Sequence, residues 1–330
     1  MAYDGRIMRR ALERLEEDRR AREARYEERR ESVFRRQPRL GEIDARLRST
    51  VSRIVAQALR QGEDPREAVE ALKRENLALQ EEKRELLRQC GLPEDCLEEA
   101  PLCPLCGDSG YRDGRVCRCL RGYYAREQQK DLSRMLDLGN QSFESFSLEW
   151  YSEEYQPALG ISARENMDWV RRTCKKYAEN FGPDSGNLLL CGAPGLGKTH
   201  LSAAIAREVS GEGWSVVYDT AGSIFQQLED RKFGREDDEE DTERVLRCDL
   251  LILDDLGTEL TTAFVQSALY QIVNTRLMEG RSTILSTNLD VDSIRERYSP
   301  QIASRLEGEY QVLPFFGEDV RKLRRERGGA

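Results

Sequence analysis

The chain has 330 residues, 38% hydrophobic and 34% charged, with 52 Lys and Arg against 61 Asp and Glu. That length exceeds one small domain and allows a sizeable core, while so many charges call for long solvated helices. A net charge of −9 argues against wholesale coating of nucleic acid, and no run reaches the roughly 18 apolar residues of a membrane span or forms a signal-peptide core, so a cytoplasmic protein without a membrane partner is expected.

Residues 6–36 are nearly all Arg and Glu, with Ile7, Leu12, Leu15, Val33 and Phe34 as sparse anchors. Acidic residues interrupt every basic cluster, which predicts a charge-laced exposed helix rather than a nucleic-acid arm. Leu40, Ile43, Leu47, Val51, Ile54 and Ala58 recur at helical spacing. After Gly62, Asp64-Pro65-Arg66-Glu67 reads as a helix start, Val69, Leu72, Leu79 and Leu86 supply an apolar stripe, and Gly91 ends it. Residues 40–90 are therefore expected to form a helical hairpin suited to docking.

Cys103 and Cys106, spaced CxxC, are followed ten residues later by Cys117 and Cys119 around a Gly-rich turn. Four thiolates suit tetrahedral Zn²⁺ in a closed structural site, whereas a redox CxxC would not need the second pair. Cys90 and Cys96 are spare ligands nearby, while Cys174, Cys191 and Cys248 read as small buried residues.

From Asn187 onward, short aliphatic runs alternate with helical stretches, the pattern of a parallel sheet covered on both faces. Strands are expected at Asn187–Cys191, Ser215–Asp219, Leu250–Asp254, Thr283–Thr287 and Tyr310–Leu313. The acidic run Glu236–Asp241 predicts a mobile loop over 229–243. Expected boundaries are 1–100 for a charged helical region, 101–135 for a zinc-binding module and 136–330 for the α/β domain.

Gly192-Ala193-Pro194-Gly195-Leu196-Gly197-Lys198-Thr199 matches GxxxxGK[ST] between an apolar strand and a helix. Glycines let the backbone wrap a phosphate, the helix presents its positive end, Lys198 neutralises β/γ charge and Thr199 holds Mg²⁺. His200 is the sole histidine; it follows within the nucleotide-binding segment and reads as structural, having no triad partner. About fifty residues on, Leu250–Asp255 is an apolar strand ending in two carboxylates. Asp254 is expected to bind Mg²⁺ through water and Asp255 to orient or deprotonate the attacking water, because phosphoryl transfer needs positioning and charge neutralisation. Ser286-Thr287-Asn288 ends the next strand, placing an amide near the γ-phosphate. The expected cofactors are ATP, Mg²⁺ and Zn²⁺.

In order, GKTHL, LLILDDLG with Glu259, STN, and Ile302-Ala303-Ser304-Arg305-Leu306 resemble the AAA+ ATPases of the DnaC/DnaI helicase-loader and IstB-like group, as does Phe143-Glu144-Ser145-Phe146. The resemblance covers most of 90–320. It implies a five-stranded AAA+ core, Asn288 as sensor 1, Arg305 as an arginine finger reaching a neighbour's ATP, and Arg321 as a C-terminal sensor arginine. The chain stops nine residues after Arg321, short of a full helical lid. It further implies ATP hydrolysis, a zinc-containing N-terminal region that holds the replicative DNA helicase, contact with single-stranded DNA, and a homo-oligomer on ATP and DNA. Arg231-Lys232 and the helix from Ala221 are a candidate DNA patch. The rival expectations are an IstB-like transposition helper and an adaptor that binds nucleotide without hydrolysing it.

Overall fold

The computed structural model describes residues 3–50, 52, 53, 55, 65–136, 140–157, 160–232 and 239–328. They divide into two compact units, Arg14–Asp113 and Met1–Glu13 with Gly114–Ala330. None of their helices is long and apolar enough to cross a membrane.

Helix α1 (Gly5–Arg36) holds the charge-laced segment. Its anchors Ile7, Leu15 and Val33 are buried, joined by Ala11 and Tyr26, and exposed i,i+3 and i,i+4 pairs such as Arg19–Glu23 line the rest. Helix α2 (Pro38–Arg48) starts on an N1 proline, which gives up no bonded N–H there. Helix α3 (Pro65–Gln89) follows, bridged to α2 by Arg39–Glu82 and Arg46–Glu75. Val33, Leu40, Leu87 and Leu97 form the small core of this unit. Gly91 ends α3 at φ 69, a left-handed conformation that a glycine adopts without a Cβ clash. Val51, Ile54, Ala58, Gly62 and Asp64 of the expected hairpin lie outside the described residues.

Two-residue strands β1 (Tyr111–Arg112) and β2 (Arg115–Val116) pair as a hairpin, followed by α4 (Arg118–Met135). Strands β3 (Tyr155–Gln156) and β4 (Ile161–Ser162) form a second small antiparallel pair. Helix α5 (Ala163–Glu179) opens on a capping box, Ser162 with Glu165, that satisfies two otherwise orphaned N–H groups.

The rest alternates strand and helix: β5 (Asn187–Gly192), α6 (Lys198–Gly211), β6 (Val216–Thr220), α7 (Ala221–Lys232), α8 (Glu239–Arg247), β7 (Leu250–Leu256), α9 (Ala263–Met278), β8 (Ser282–Thr287), α10 (Val291–Arg297), α11 (Pro300–Glu309), β9 (Tyr310–Phe315) and α12 (Val320–Gly328). The five longer strands make one parallel sheet in the order β6-β7-β8-β5-β9. This is an α/β fold with the five-stranded parallel core expected, behind a helical N-terminal region. Alternation along the strands fills two cores. Leu188, Leu190, Ile252 and Ile284 face Met167, Val170 and Ile205, while Leu189, Leu251, Leu253 and Leu285 face Leu269, Ile272, Ile302 and Leu306.

One expectation is corrected. Residues 229–232 end α7 and 239–243 begin α8, so the expected loop does not include those two segments. Negative residues favour the first turn of a helix, where unpaired N–H groups carry partial positive charge, so an acidic run is compatible with a helix starting at Glu239. Residues 233–238 lie outside the described set.

Candidate nucleotide site and cysteine cluster

The loop 192–197 leaves the C-terminal end of β5, the side of a parallel sheet where ligands bind. Gly192 is held at φ 149, and a Cβ there would stand 2.1 Å from the carbonyl oxygen of Phe315 on the paired strand β9. Gly197 caps α6 at φ 91, and a Cβ would stand 2.8 Å from the Phe146 ring. The loop can therefore pack this closely against Phe315 and Phe146 only with glycine at these two positions. Lys198 is 6% exposed, and its ammonium donates to the carbonyls of Gly192 at 2.6 Å and Ala193 at 2.9 Å. Burial lowers the pKa of Lys198, against the pull of Asp255 and then Asp254.

Asp254 and Asp255 stand just before Leu256, the last residue of β7. Asp254 is 3% exposed; it accepts a hydrogen bond of 2.7 Å from the Tyr218 hydroxyl and another from Ser286. Asp255 faces outward into a cleft of about 370 Å³, together with Pro194, Gly195, Lys198, Thr199, Asn288 and Arg321. Burial and the neighbouring Asp254 raise its pKa, opposed by Lys198 and Arg321. Ala193 is exposed and Leu196 is buried beneath the loop. Such a cleft offers the glycine loop and the cations Lys198, Arg321 and Arg324 to an anion, with the Asp255 carboxylate and the Asn288 amide beside them: groups that suit a nucleoside triphosphate. The hard oxygens of Thr199 and Asp254 are the donor type that suits Mg²⁺.

His200 holds the loop from the other side. Its Nε2 lies 2.8 Å from the Ser142 carbonyl oxygen, and its ring meets Phe146 edge-on at 5.3 Å. Burial lowers its pKa, opposed by the Ser142 contact. Phe146 also stacks on Tyr151, whose hydroxyl donates to the Leu196 carbonyl at 2.9 Å. Of the segment Phe143–Phe146, Ser145 and Phe146 line the cleft.

Several residues here carried no signal in the sequence. Asp319 packs against Gly195, where a Cβ would stand 2.0 Å from its carboxylate oxygen, and Val320 donates its N–H to the Gly195 carbonyl at 3.1 Å. Trp150 lines the cleft and lies under the guanidinium groups of Arg324 and Arg327, at 5.5 and 4.9 Å from its ring centre. Tyr218 and Ser286 were likewise invisible as partners of Asp254. Arg305 is not brought into the cleft. It sits on α11, donates to Asn274 at 2.7 Å and lies over the Tyr270 ring at 4.8 Å.

The four cysteines 103, 106, 117 and 119 come together, their sulfur atoms all within 4.8 Å of one another. A ZnS₄ tetrahedron with bonds of about 2.3 Å has edges of about 3.8 Å, so the set fits zinc. Gly107 donates its N–H to the Cys103 carbonyl at 3.0 Å, and the Asp108 carboxylate accepts the Cys103 N–H at 2.7 Å, closing the first CxxC into a tight turn. Cys90 and Cys96 are not part of this group among the described residues. Cys174 and Cys248 are buried and Cys191 is half-buried.

Residues 165–307 match a family model described as IstB-like ATP binding protein. Over 153 residues the chain is 29% identical to the replicative helicase loader DnaC of Buchnera aphidicola subsp. Baizongia pistaciae, covering 45% of this chain and 61% of that protein. Over 146 residues it is 30% identical to the uncharacterized protein YdaV of Escherichia coli K12, covering 43% of this chain and 57% of that one. The chain thus spans 61% and 57% of the length of these two curated relatives. Among solved structures, the crystal structure of the DnaC helicase loader aligns with a TM-score of 0.44 at 21% identity, covering 55% of this chain and 99% of that one.

Proposed function

We propose that residues 165–307, which match the model described as IstB-like ATP binding protein, form an ATP-binding domain of the DnaC/DnaI and IstB-like AAA+ group, and that the chain hydrolyses ATP as a loader of the replicative DNA helicase. One observation carries the reading: Lys198, Thr199, Asp255, Asn288 and Arg321, dispersed over 124 positions of the chain (198 to 321), line a single cleft. In this reading Lys198 exchanges its two carbonyl partners for β- and γ-phosphate oxygens. The glycine loop 192–197 wraps the phosphates, and Asp255 and Asn288 orient the attacking water. Arg321 adds positive charge from the start of α12. Thr199 and Asp254 would hold Mg²⁺, which when bound neutralises phosphate charge. Arg305 serves a neighbouring subunit, in accord with its place outside its own cleft, and so calls for a homo-oligomer on ATP and DNA.

The helical region 1–100 and a zinc module over 101–135, with Cys103, Cys106, Cys117 and Cys119 as ligands, form the helicase-holding part in this proposal. The ATPase domain, 136–330, contacts single-stranded DNA near Arg231 and α7. The name of the relative from Buchnera supports this reading; the description of the family model favours the rival, a transposition helper. Immobilised full-length protein with ATP and Mg²⁺ decides between them. Capture of the replicative helicase supports the loader, and capture of a transposase alone refutes it.

A further inference from the structure

The β7–β8 ladder is regular as far as Leu253 opposite Leu285 and resumes at Leu256 opposite Thr287. Asp254 and Asp255 together therefore oppose the single residue Ser286, which defines a β-bulge. In an unbroken strand consecutive side chains point to opposite faces. Here Asp255 adopts φ 54, and the bulge turns its carboxylate into the cleft while Asp254 stays buried. A bulge leaves a backbone group without its ladder partner, and the Ser286 side chain supplies one. Its hydroxyl oxygen accepts the Asp255 N–H at 3.1 Å, and the same hydroxyl donates to one carboxylate oxygen of Asp254. The other oxygen of Asp254 accepts from Tyr218 on β6 at 2.7 Å. Ser286 and Tyr218 are both buried, at 0% and 5% exposure, so water does not readily substitute for either hydroxyl.

We propose that Ser286 and Tyr218 are positioning residues for the acidic pair, with the Ser286 hydroxyl locking both the Asp254 carboxylate and the bulged Asp255 amide. Neither touches the substrate. Tyr218 fixes the rotation of Asp254 alone, and Ser286 couples that rotation to the direction in which Asp255 points. The inference rests on the ATP-hydrolysis reading above.

Full-length wild type, Ser286→Ala, Ser286→Thr and Tyr218→Phe are compared in two assays: equilibrium binding of a fluorescent ATP analogue with Mg²⁺ and with EDTA, and phosphate release. Misplacing a reacting group by about an ångström costs on the order of 10²-fold in rate. Ser286→Ala is therefore expected to lose kcat on that scale, and to lose the Mg²⁺-dependent part of its affinity, with KM raised to match, while keeping the affinity measured in EDTA. Ser286→Thr, which restores the hydroxyl, regains both, and Tyr218→Phe shows a smaller loss of each. Wild-type kcat in Ser286→Ala, or equal weakening of binding with and without Mg²⁺, overturns the proposal. If wild type itself does not hydrolyse ATP, the preceding reading fails. The Mg²⁺-dependent affinity then still decides this one, supporting it if selectively lost in Ser286→Ala and overturning it if retained. Should Ser286→Ala not fold, Tyr218→Phe carries the same comparison, since it preserves ring volume and removes only the hydroxyl.

Discussion

Replacing Arg276 by Met should unfold the ATPase core at markedly lower temperature without altering its nucleotide site. Arg276 is fully buried on α9. Its guanidinium donates to the carbonyls of Val245, Leu246 and Cys248 at 3.0, 3.0 and 3.1 Å, to that of Ser282 at 2.6 Å, and to the Thr283 hydroxyl at 2.9 Å. It thereby satisfies the last carbonyls of α8 and the start of β8, a task otherwise left to water or to a helix cap. Leaving four buried carbonyls unpaired, at about 1–3 kcal/mol each, sets a ceiling of about 4–12 kcal/mol. Part returns, because burying a guanidinium itself costs several kcal/mol, and a net loss of about 3–5 kcal/mol follows. For an ATPase unit of roughly 200 residues this is a drop of about 6–20 °C in the midpoint. Scanning calorimetry reads the midpoint, and titration with a fluorescent nucleotide below it reads the affinity, which should stay within a few-fold of wild type. A drop under about 1 kcal/mol would show that water replaces the guanidinium at no cost and refute the reasoning.

Lys198→Ala should abolish ATP binding, whereas Asp255→Asn should bind ATP and fail to turn it over; equal phosphate release by Asp255→Asn and wild type would refute the assigned roles. Purified protein should carry about one Zn²⁺ by elemental analysis, and Cys103→Ser should release it and loosen the turn around it, because a loop-rich segment has little core of its own. Arg305→Ala should spare ATP affinity and lower turnover, by up to about 10³–10⁵-fold if it acts as a finger. Mixing it with Lys198→Ala should restore some activity at interfaces that pair an intact loop with an intact arginine, and a mixture that stays inactive counts against action between subunits.

The linear order of residues was sufficient for whatever depends on near neighbours. Each of the five long strands lies within three residues of its expected bounds, since the aliphatic run and the flanking turns are local. GAPGLGKT is legible for the same reason: its glycines, lysine and helix start act within eight consecutive positions. The four cysteines were legible as a set because only 17 residues contain them, a span that closes without long loops. Charge is ambiguous over 229–243, because an acidic run suits a solvated loop and a first helical turn equally.

Only the tertiary structure decided what meets across the sheet. Its order, β6-β7-β8-β5-β9, makes neighbours of strands far apart in the chain, so Tyr218 and Ser286 reach Asp254 over separations of 36 and 32 residues. The bulge at Asp254–Asp255 arises from the pairing of β7 with β8 and has no mark in LLILDD alone. Val320, Arg321 and Arg324 line the cleft because β9 pairs beside β5 and delivers the following segment to the glycine loop. Chemical identity was thus local, while the direction of each carboxylate was set by hydrogen bonds between strands, which no spacing along the chain encodes.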